Sequence, residues 1–166
     1  MSPLQADEIF ACLERHRVQY ILIGGLAAIL HGSPLATFDA DICPSRDGDN
    51  LERLASALEE LEARVRTPDS ADGVAFPREA SFLGRIEILN LVTCRGDLDI
   101  SFQPAGTGGY EDLSRSAVVM EIRGHGIQVA ALEDVIRSKE AAGRDKDRRS
   151  LPVLHQLLEE IRKRRG

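Results

Sequence analysis

Two stretches decide how this chain folds: Tyr20-Ile-Leu-Ile-Gly-Gly-Leu-Ala-Ala and, a few residues on, Thr37-Phe-Asp-Ala-Asp-Ile. Tyr20–Ile23 is an apolar run too short for a helix and closed by glycines, which reads as a buried strand. Gly25–His31 continues in good helix formers, and His31-Gly32-Ser33-Pro34 supplies a Gly stop and a Pro breaker. The unit is strand, Gly-Gly turn, short helix. Thr37–Cys43 then alternates as a strand does, with Phe38, Ala40 and Ile42 on one side and Thr37, Asp39, Asp41 and Cys43 on the other, until Pro44 ends it.

Charged residues are disfavoured inside strands, yet a side-chain period of two puts Asp39 and Asp41 on one face with Cα atoms roughly 7 Å apart. Without a cation they repel. Divalent ions would turn the cost into a binding site, and a third carboxylate on a neighbouring strand would close the cage. Asp99, framed by Leu98 and Ile100, is the natural third member; Asp97 shares its face and is the alternative. Gly24-Gly25 lets backbone come close to a ligand, and the amides opening the following helix offer donors to a phosphate oxygen.

Outward from this centre, Ser2 with Pro3 reads as a helix start, and Leu4, Ile9, Phe10 and Leu13 supply a stripe running to about Arg17. Asp49 and Glu52 stand at capping-box spacing before Leu51, Leu54, Leu58 and Leu61, which predicts a helix to about Ala63. Thr67–Pro77 reads as a loop. Glu87–Thr93 and Asp97–Phe102 form one predicted hairpin across Cys94-Arg95-Gly96, and Ala117–Ile122 and Ile127–Ala130 another across Gly124-His125-Gly126. Gln103–Gly109, rich in glycine, is expected to be an exposed loop. A helix from Leu132 to near Gly143 and a closing helix striped by Leu151, Leu154, Leu157, Leu158 and Ile161 complete the chain. Strands and helices mix without strict alternation, so the expected class is α+β, a mixed sheet flanked by helices. With no internal repeat and no linker, residues 1–166 are expected to form one domain, its core spanning about 18–130 and a helical part about 131–166.

Composition narrows the function. The 166 residues carry 21 Lys/Arg and 27 Asp/Glu, a net charge of −6. From Glu133 onward 10 Lys/Arg face 7 Asp/Glu, leaving 11 against 20 in the rest, so an acidic body carries a basic tail. In the tail, Lys139 and Arg144 lie five apart across a helix end and would face one anion if the helix breaks at Gly143; Lys146, Arg148 and Arg149 read as solvated surface. The longest apolar stretch falls short of a membrane span, and no secretory pattern opens the sequence, so a cytoplasmic location without membrane contact is expected. Cys12, Cys43 and Cys94 form no CxxC pair and read as packed thiols. His31 reads as a helix-end side chain, and His16, His125 and His155 lack ligand spacing. There is no G-x-S-x-G elbow, Walker-A loop or dinucleotide fingerprint. Seven aromatic residues and no Trp offer few stacking platforms for single-stranded nucleic acid.

In order, Gly24-Gly25, Asp39-Ala-Asp41 and Gly96-Asp-Leu-Asp99-Ile resemble the nucleotidyltransferase superfamily built on the DNA polymerase beta-like palm. Together with His31-Gly-Ser-Pro and the run from Leu132 through Lys139 and Arg144 to Asp147, they look like the small bacterial nucleotidyltransferases of the abortive-infection, toxin–antitoxin type. The resemblance covers about Tyr20 to Asp147. It implies a palm-like fold and transfer of a nucleoside monophosphate from an NTP to a hydroxyl acceptor, such as a tRNA 3′ end or a protein side chain, with Mg²⁺ or Mn²⁺ as cofactor. It further implies Asp39, Asp41 and Asp99 as metal ligands and catalytic residues, Gly24 and Gly25 as the triphosphate turn, Lys139 and Arg144 as nucleotide-binding residues, and a cognate antitoxin as partner. The chain departs from the pattern at Gly25, where relatives often carry Ser, and at Leu35, where they often carry Arg. Two other readings stay open from the residues themselves: a nucleotide-binding or interaction module without turnover, and a metal-dependent phosphoesterase using the same carboxylates.

Overall fold

A computed structural model describes residues 3–166, so the helix start read at Ser2 lies outside the described residues. Helix α1 (Ala6–Arg15) leads into β1 (Tyr20–Ile23), α2 (Gly24–Leu30) and β2 (Asp39–Pro44), the unit anticipated from the first two stretches. Next come α3 (Gly48–Glu60), β3 (Arg64–Thr67), β4 (Ser70–Val74), α4 (Ala80–Leu83), β5 (Ile88–Thr93) and β6 (Gly96–Ser101). The chain continues through α5 (Tyr110–Ser114), β7 (Val118–Ile122), β8 (His125–Val129), α6 (Leu132–Ala142) and α7 (Asp145–Arg165). The eight strands form one mixed sheet in the order β4-β3-β5-β6-β2-β1-β8-β7. Neighbours run antiparallel except at two seams, β2 with β6 and β1 with β8. The α+β class is therefore the one expected. No helix among the described residues is long and apolar enough to cross a membrane.

Alternation along the central strands separates two environments. Ala40, Ile42, Leu98 and Ile100 are fully buried, in one core with Ile9, Phe10 and Leu13 of α1 and Leu54 and Leu58 of α3. The intervening residues of β2 and β6 are aspartates, and they face the opposite way. Both predicted hairpins form, β5/β6 closing at Thr93 and Gly96 and β7/β8 at Ile122 and His125.

Several boundaries differ from the sequence reading, each for a local reason. The stretch read as a loop at Thr67–Pro77 contains β4, which together with β3 extends the sheet beyond β5. Its residues, Ser70-Ala-Asp-Gly-Val, are polar and glycine-bearing because an edge strand needs only one paired side. The Asp49/Glu52 capping box does not form: α3 begins at Gly48 behind Asp47, which leaves Asp49 in the first turn, where its charge suits the helix dipole. Phe38, placed by alternation beside Ala40, is instead 84% exposed because β2 starts only at Asp39. Gln103–Gly109 is irregular but not simply exposed: Pro104, Thr107 and Gly109 are buried, and Gly106 packs so closely on α6 that a Cβ there would meet Ala141 at 2.7 Å.

The β1/β2 pair is locked at the end remote from the aspartates by Asn50, a fully buried side chain on α3. Its Oδ1 accepts from the Gln19 backbone N–H at 2.7 Å, while its Nδ2 donates to the carbonyls of Gln19 (3.0 Å) and Ser45 (2.9 Å). One amide thus satisfies backbone groups just before β1 and just after β2. Replacement by Ala strands them in the interior, so Asn50→Ala is expected to lower the unfolding free energy by about 2–3 kcal/mol in urea titration.

Candidate functional site

The β2/β6 seam is parallel, with Asp39 beside Asp97 and Asp41 beside Asp99. Side chains that are register partners in neighbouring strands share a face, so four carboxylates point to the same side of the sheet. Of these, Asp39, Asp41 and Asp99 bring ligand oxygens within 4.8 Å of one another. Asp97 does not join them; its Oδ2 pairs with Arg66 at 2.9 Å, and its other oxygen is buried without a partner. The geometry thus picks Asp99 over Asp97 as the third member of the cluster.

The glycine turn is shaped by the same cluster. Gly24 has φ +71°, a conformation L side chains rarely adopt, and a Cβ there would lie 2.3 Å from Asp41 Oδ2. The bare backbone is what lets the Asp41 carboxylate rest against the start of α2. Gly25 faces Thr37 in the same manner: an added Cβ would meet Thr37 Oγ1 at 2.9 Å. The Thr37 hydroxyl donates to Asp39 Oδ1 at 3.2 Å, fixing the first carboxylate from the residue two before it.

Crowded acids in a partly dry place are reluctant to ionise. Burial, reinforced by Asp39 and Asp99, pushes the Asp41 carboxyl up to about 7, although Lys146 and Lys139 pull it down. Burial and a hydrogen bond with Asp39 push Asp99 up to about 6 against the opposing pull of Arg66. Three hard oxygen donors that lack sufficient positive charge fit a divalent cation of the Mg²⁺ or Mn²⁺ kind.

These carboxylates line one wall of a cavity of about 630 Å³. The same cavity is lined by Lys139, Arg144, Lys146 and Arg149, and by apolar residues including Leu35, Ile88 and Pro104. The helix does break at Gly143, which takes φ +61°. Lys139 and Arg144 do converge on one anion, and that anion belongs to the protein: the Asp147 carboxylate, fully buried, accepts from Arg144 Nε at 2.8 Å and lies 3.6 Å from Lys139 Nζ. Asp147 also accepts from the Arg144 backbone N–H, which caps the start of α7. Despite its burial, the hydrogen bonds and charge of Arg144 and the charge of Lys139 hold this carboxyl below its ordinary range.

Three further features escape the sequence. Arg66 of β3 reaches Asp99 Oδ1 at 2.5 Å and Asp97 Oδ2 at 2.9 Å, but it lies in a segment with no apolar alternation to announce a strand. Lys146 is exposed, as the tail's charge pattern suggests, yet its charge acts on Asp41. His16, read as lacking ligand spacing, stands with Cys12 one helical turn earlier and Glu60 of α3 in a second group of ligand atoms within 4.8 Å. There the Cys12 thiol, driven up to about 12 chiefly by burial, donates to the Ala57 carbonyl, and Glu60 is engaged by Arg15 and His16. The three cysteines are free thiols.

Two outcomes follow for the acid cluster. A carboxyl whose folded-state pKa lies above its unfolded value binds more protons when folded, so its contribution turns against the fold as pH rises from about 4 to about 7 and remains so above. In metal-free buffer Asp41→Asn is therefore expected to exceed the wild type in stability by about 1–2 kcal/mol at pH 8, the gap closing towards pH 4, as read by urea titration across pH. Gly24→Ala, which combines a strained φ with the collision at Asp41, is expected to lower stability by about 1–3 kcal/mol and to weaken Mn²⁺ binding measured by calorimetry.

No family model matches the chain, and no curated protein matches it by sequence. Solved structures do match in fold. The lincosamide antibiotic adenylyltransferase LnuA, solved with lincomycin bound, aligns at 15% identity and TM-score 0.60 over 94% of this chain and 99% of that one. TM1012 of Thermotoga maritima, described as a nucleotidyltransferase, aligns at 19% identity and TM-score 0.55 over 96% and 98%. The antibiotic-resistance factor ANT(2'')-Ia aligns at 17% identity and TM-score 0.54 over 95% and 89%. What the chain shares with these proteins is the fold, an α+β architecture built on a mixed sheet, and that fold is the nucleotidyltransferase one.

Proposed function

We propose that the cavity binds a nucleoside triphosphate together with Mg²⁺ or Mn²⁺ and transfers the nucleoside monophosphate to a hydroxyl acceptor. The observation that carries this reading is the convergence of Asp39, Asp41 and Asp99, from two strands paired in parallel, in a cavity also lined by Lys and Arg. In the reaction the acceptor oxygen attacks the α-phosphorus in line, a new O–P bond forms as the bond to the β-phosphate oxygen breaks, and pyrophosphate leaves. When bound, the divalent cation supplies charge neutralisation for the attacking and leaving oxygens.

The chain's own residues do the rest. Asp39 and Asp41, held by Thr37 and by the bare backbone of Gly24, would ligate the cation. Asp99, the third ligand of the cluster, has its carboxyl pushed up to about 6 by burial and by Asp39 and is suited to take the proton from the acceptor hydroxyl. Lys139 and Lys146 favour polyphosphate in the cavity, and Arg144, which also lines it, is held by Asp147. The turn at Gly24 and Gly25 lets a phosphate approach the main chain, with the Thr37 hydroxyl standing in the space a Gly25 side chain would need.

For the acceptor, a small hydroxyl-bearing compound is favoured over a macromolecule. Apolar side chains line part of a cavity sized for small ligands, and two of the matching structures are enzymes or factors of antibiotic modification and resistance. A tRNA end, a protein side chain, and a toxin's role with a cognate antitoxin are carried by the sequence resemblance alone.

The test is direct. Wild-type protein with each α-labelled NTP and Mn²⁺ is offered lincosamides and aminoglycosides, total tRNA, or cell lysate in separate reactions. Label is expected on a small compound, with pyrophosphate released and transfer falling at least ~10²-fold in Asp41→Ala. Label on tRNA or protein would move the acceptor to that class. NTP binding without pyrophosphate release would leave a module without turnover, and release of inorganic phosphate would indicate a phosphoesterase.

A further inference from the structure

The sheet builds four aspartates onto one face and, among the described residues, pairs one guanidinium with them, and its placement is specific. Arg66 rises from β3, two strands from β6 across β5, and spans Asp97 and Asp99 with one nitrogen on each. Asp97 is about one-fifth exposed, ligates nothing in the three-carboxylate cluster, and leaves one oxygen buried and unpaired. Burying that oxygen costs free energy, and the ion pair of Asp97 with Arg66 is what offsets the burial of its charge. Arg66, in turn, would without Asp97 have Asp99 as its sole ionic partner.

We infer that Arg66 is a resident counter-cation that competes with the divalent ion for Asp99, and that Asp97 is the berth that holds Arg66 beside Asp99 without surrendering Asp99 entirely. The inference rests on the proposed metal-binding reading of Asp39, Asp41 and Asp99. Asp99 Oδ1 is engaged by Arg66 at 2.5 Å, so ligation through that oxygen requires the guanidinium to withdraw towards Asp97. Arg66 also explains how the acids tolerate one another before any cation arrives: its charge opposes the burial that raises Asp99. Arg66 is thus a positioning residue, acting on the reaction only through Asp99.

The experiment is Mn²⁺ binding to the full chain without nucleotide, followed by calorimetry and by the loss of the free-ion paramagnetic signal, at fixed pH and two salt concentrations. Arg66→Gln, which removes the charge and, being two atoms shorter, leaves both aspartates, is expected to bind Mn²⁺ about five- to tenfold more tightly than wild type. Asp97→Asn, which leaves Arg66 only Asp99 to pair with, is expected to bind it more weakly. Arg66→Lys, unable to span both carboxylates, should fall between wild type and Arg66→Gln. Lys146→Gln removes a charge felt by Asp41 but touching no aspartate, and its effect should be smaller and should fade in high salt. Equal effects of Arg66→Gln and Lys146→Gln, or no tightening in Arg66→Gln and Arg66→Lys, overturn the competition. Wild type that binds no Mn²⁺ at all overturns the metal site itself, and the two failures are thereby distinct.

Discussion

Everything in this molecule answers to the parallel pairing of β2 with β6. Register alone sets Asp39 beside Asp97 and Asp41 beside Asp99, so like charges that are distant along the chain become neighbours on a sheet face. Such crowding opposes folding by its own electrostatics. The surrounding structure offsets it with cations brought from separate elements: Arg66 from β3, Lys139 from α6 and Lys146 from α7. The apolar half of the same strands, Ala40, Ile42, Leu98 and Ile100, provides the burial that holds the seam shut while its other face stays charged.

The basic tail has a more particular part than net charge suggests. Its buried acid, Asp147, closes the start of α7, satisfies Arg144 and stands near Lys139 across the Gly143 break. The junction between the last two helices therefore also lines the cavity of the carboxylates. A structural device, the cap of one helix, and an electrostatic one, the seating of cations in that cavity, use the same side chain.

Much of this was legible in the sequence where local chemistry and global role coincide. Tyr20–Ile23, the Gly-Gly turn, the Asp-x-Asp strand and the two hairpins are announced by alternation and by glycine, and the structure agrees. The apolar frame favours Asp99 but leaves Asp97 open, and it is the geometry of the sheet that groups Asp99 with Asp39 and Asp41. Arg66 was not legible: Arg64-Val-Arg-Thr is too short and too polar to read as a strand, and its meaning lies in a pairing with β5. The sequence shows no ligand spacing at His16, and it is the approach of Glu60 from α3 that groups it with Cys12. Phe38 shows the converse, an alternation that starts two residues before the strand itself does. Partners set by tertiary approach leave no periodic trace.

The contact between Gly24 and Asp41 sets a one-sided constraint between the two positions. A methyl at residue 24 would overlap the carboxylate, yet removing the carboxylate does not relieve the left-handed backbone that also calls for glycine. In a lineage released from selection on its chemistry, the aspartate would be free to drift first while the glycine persisted as a fossil of the turn. Glycine alone at this site would then mark ancestry, and only glycine with aspartate would mark retained use.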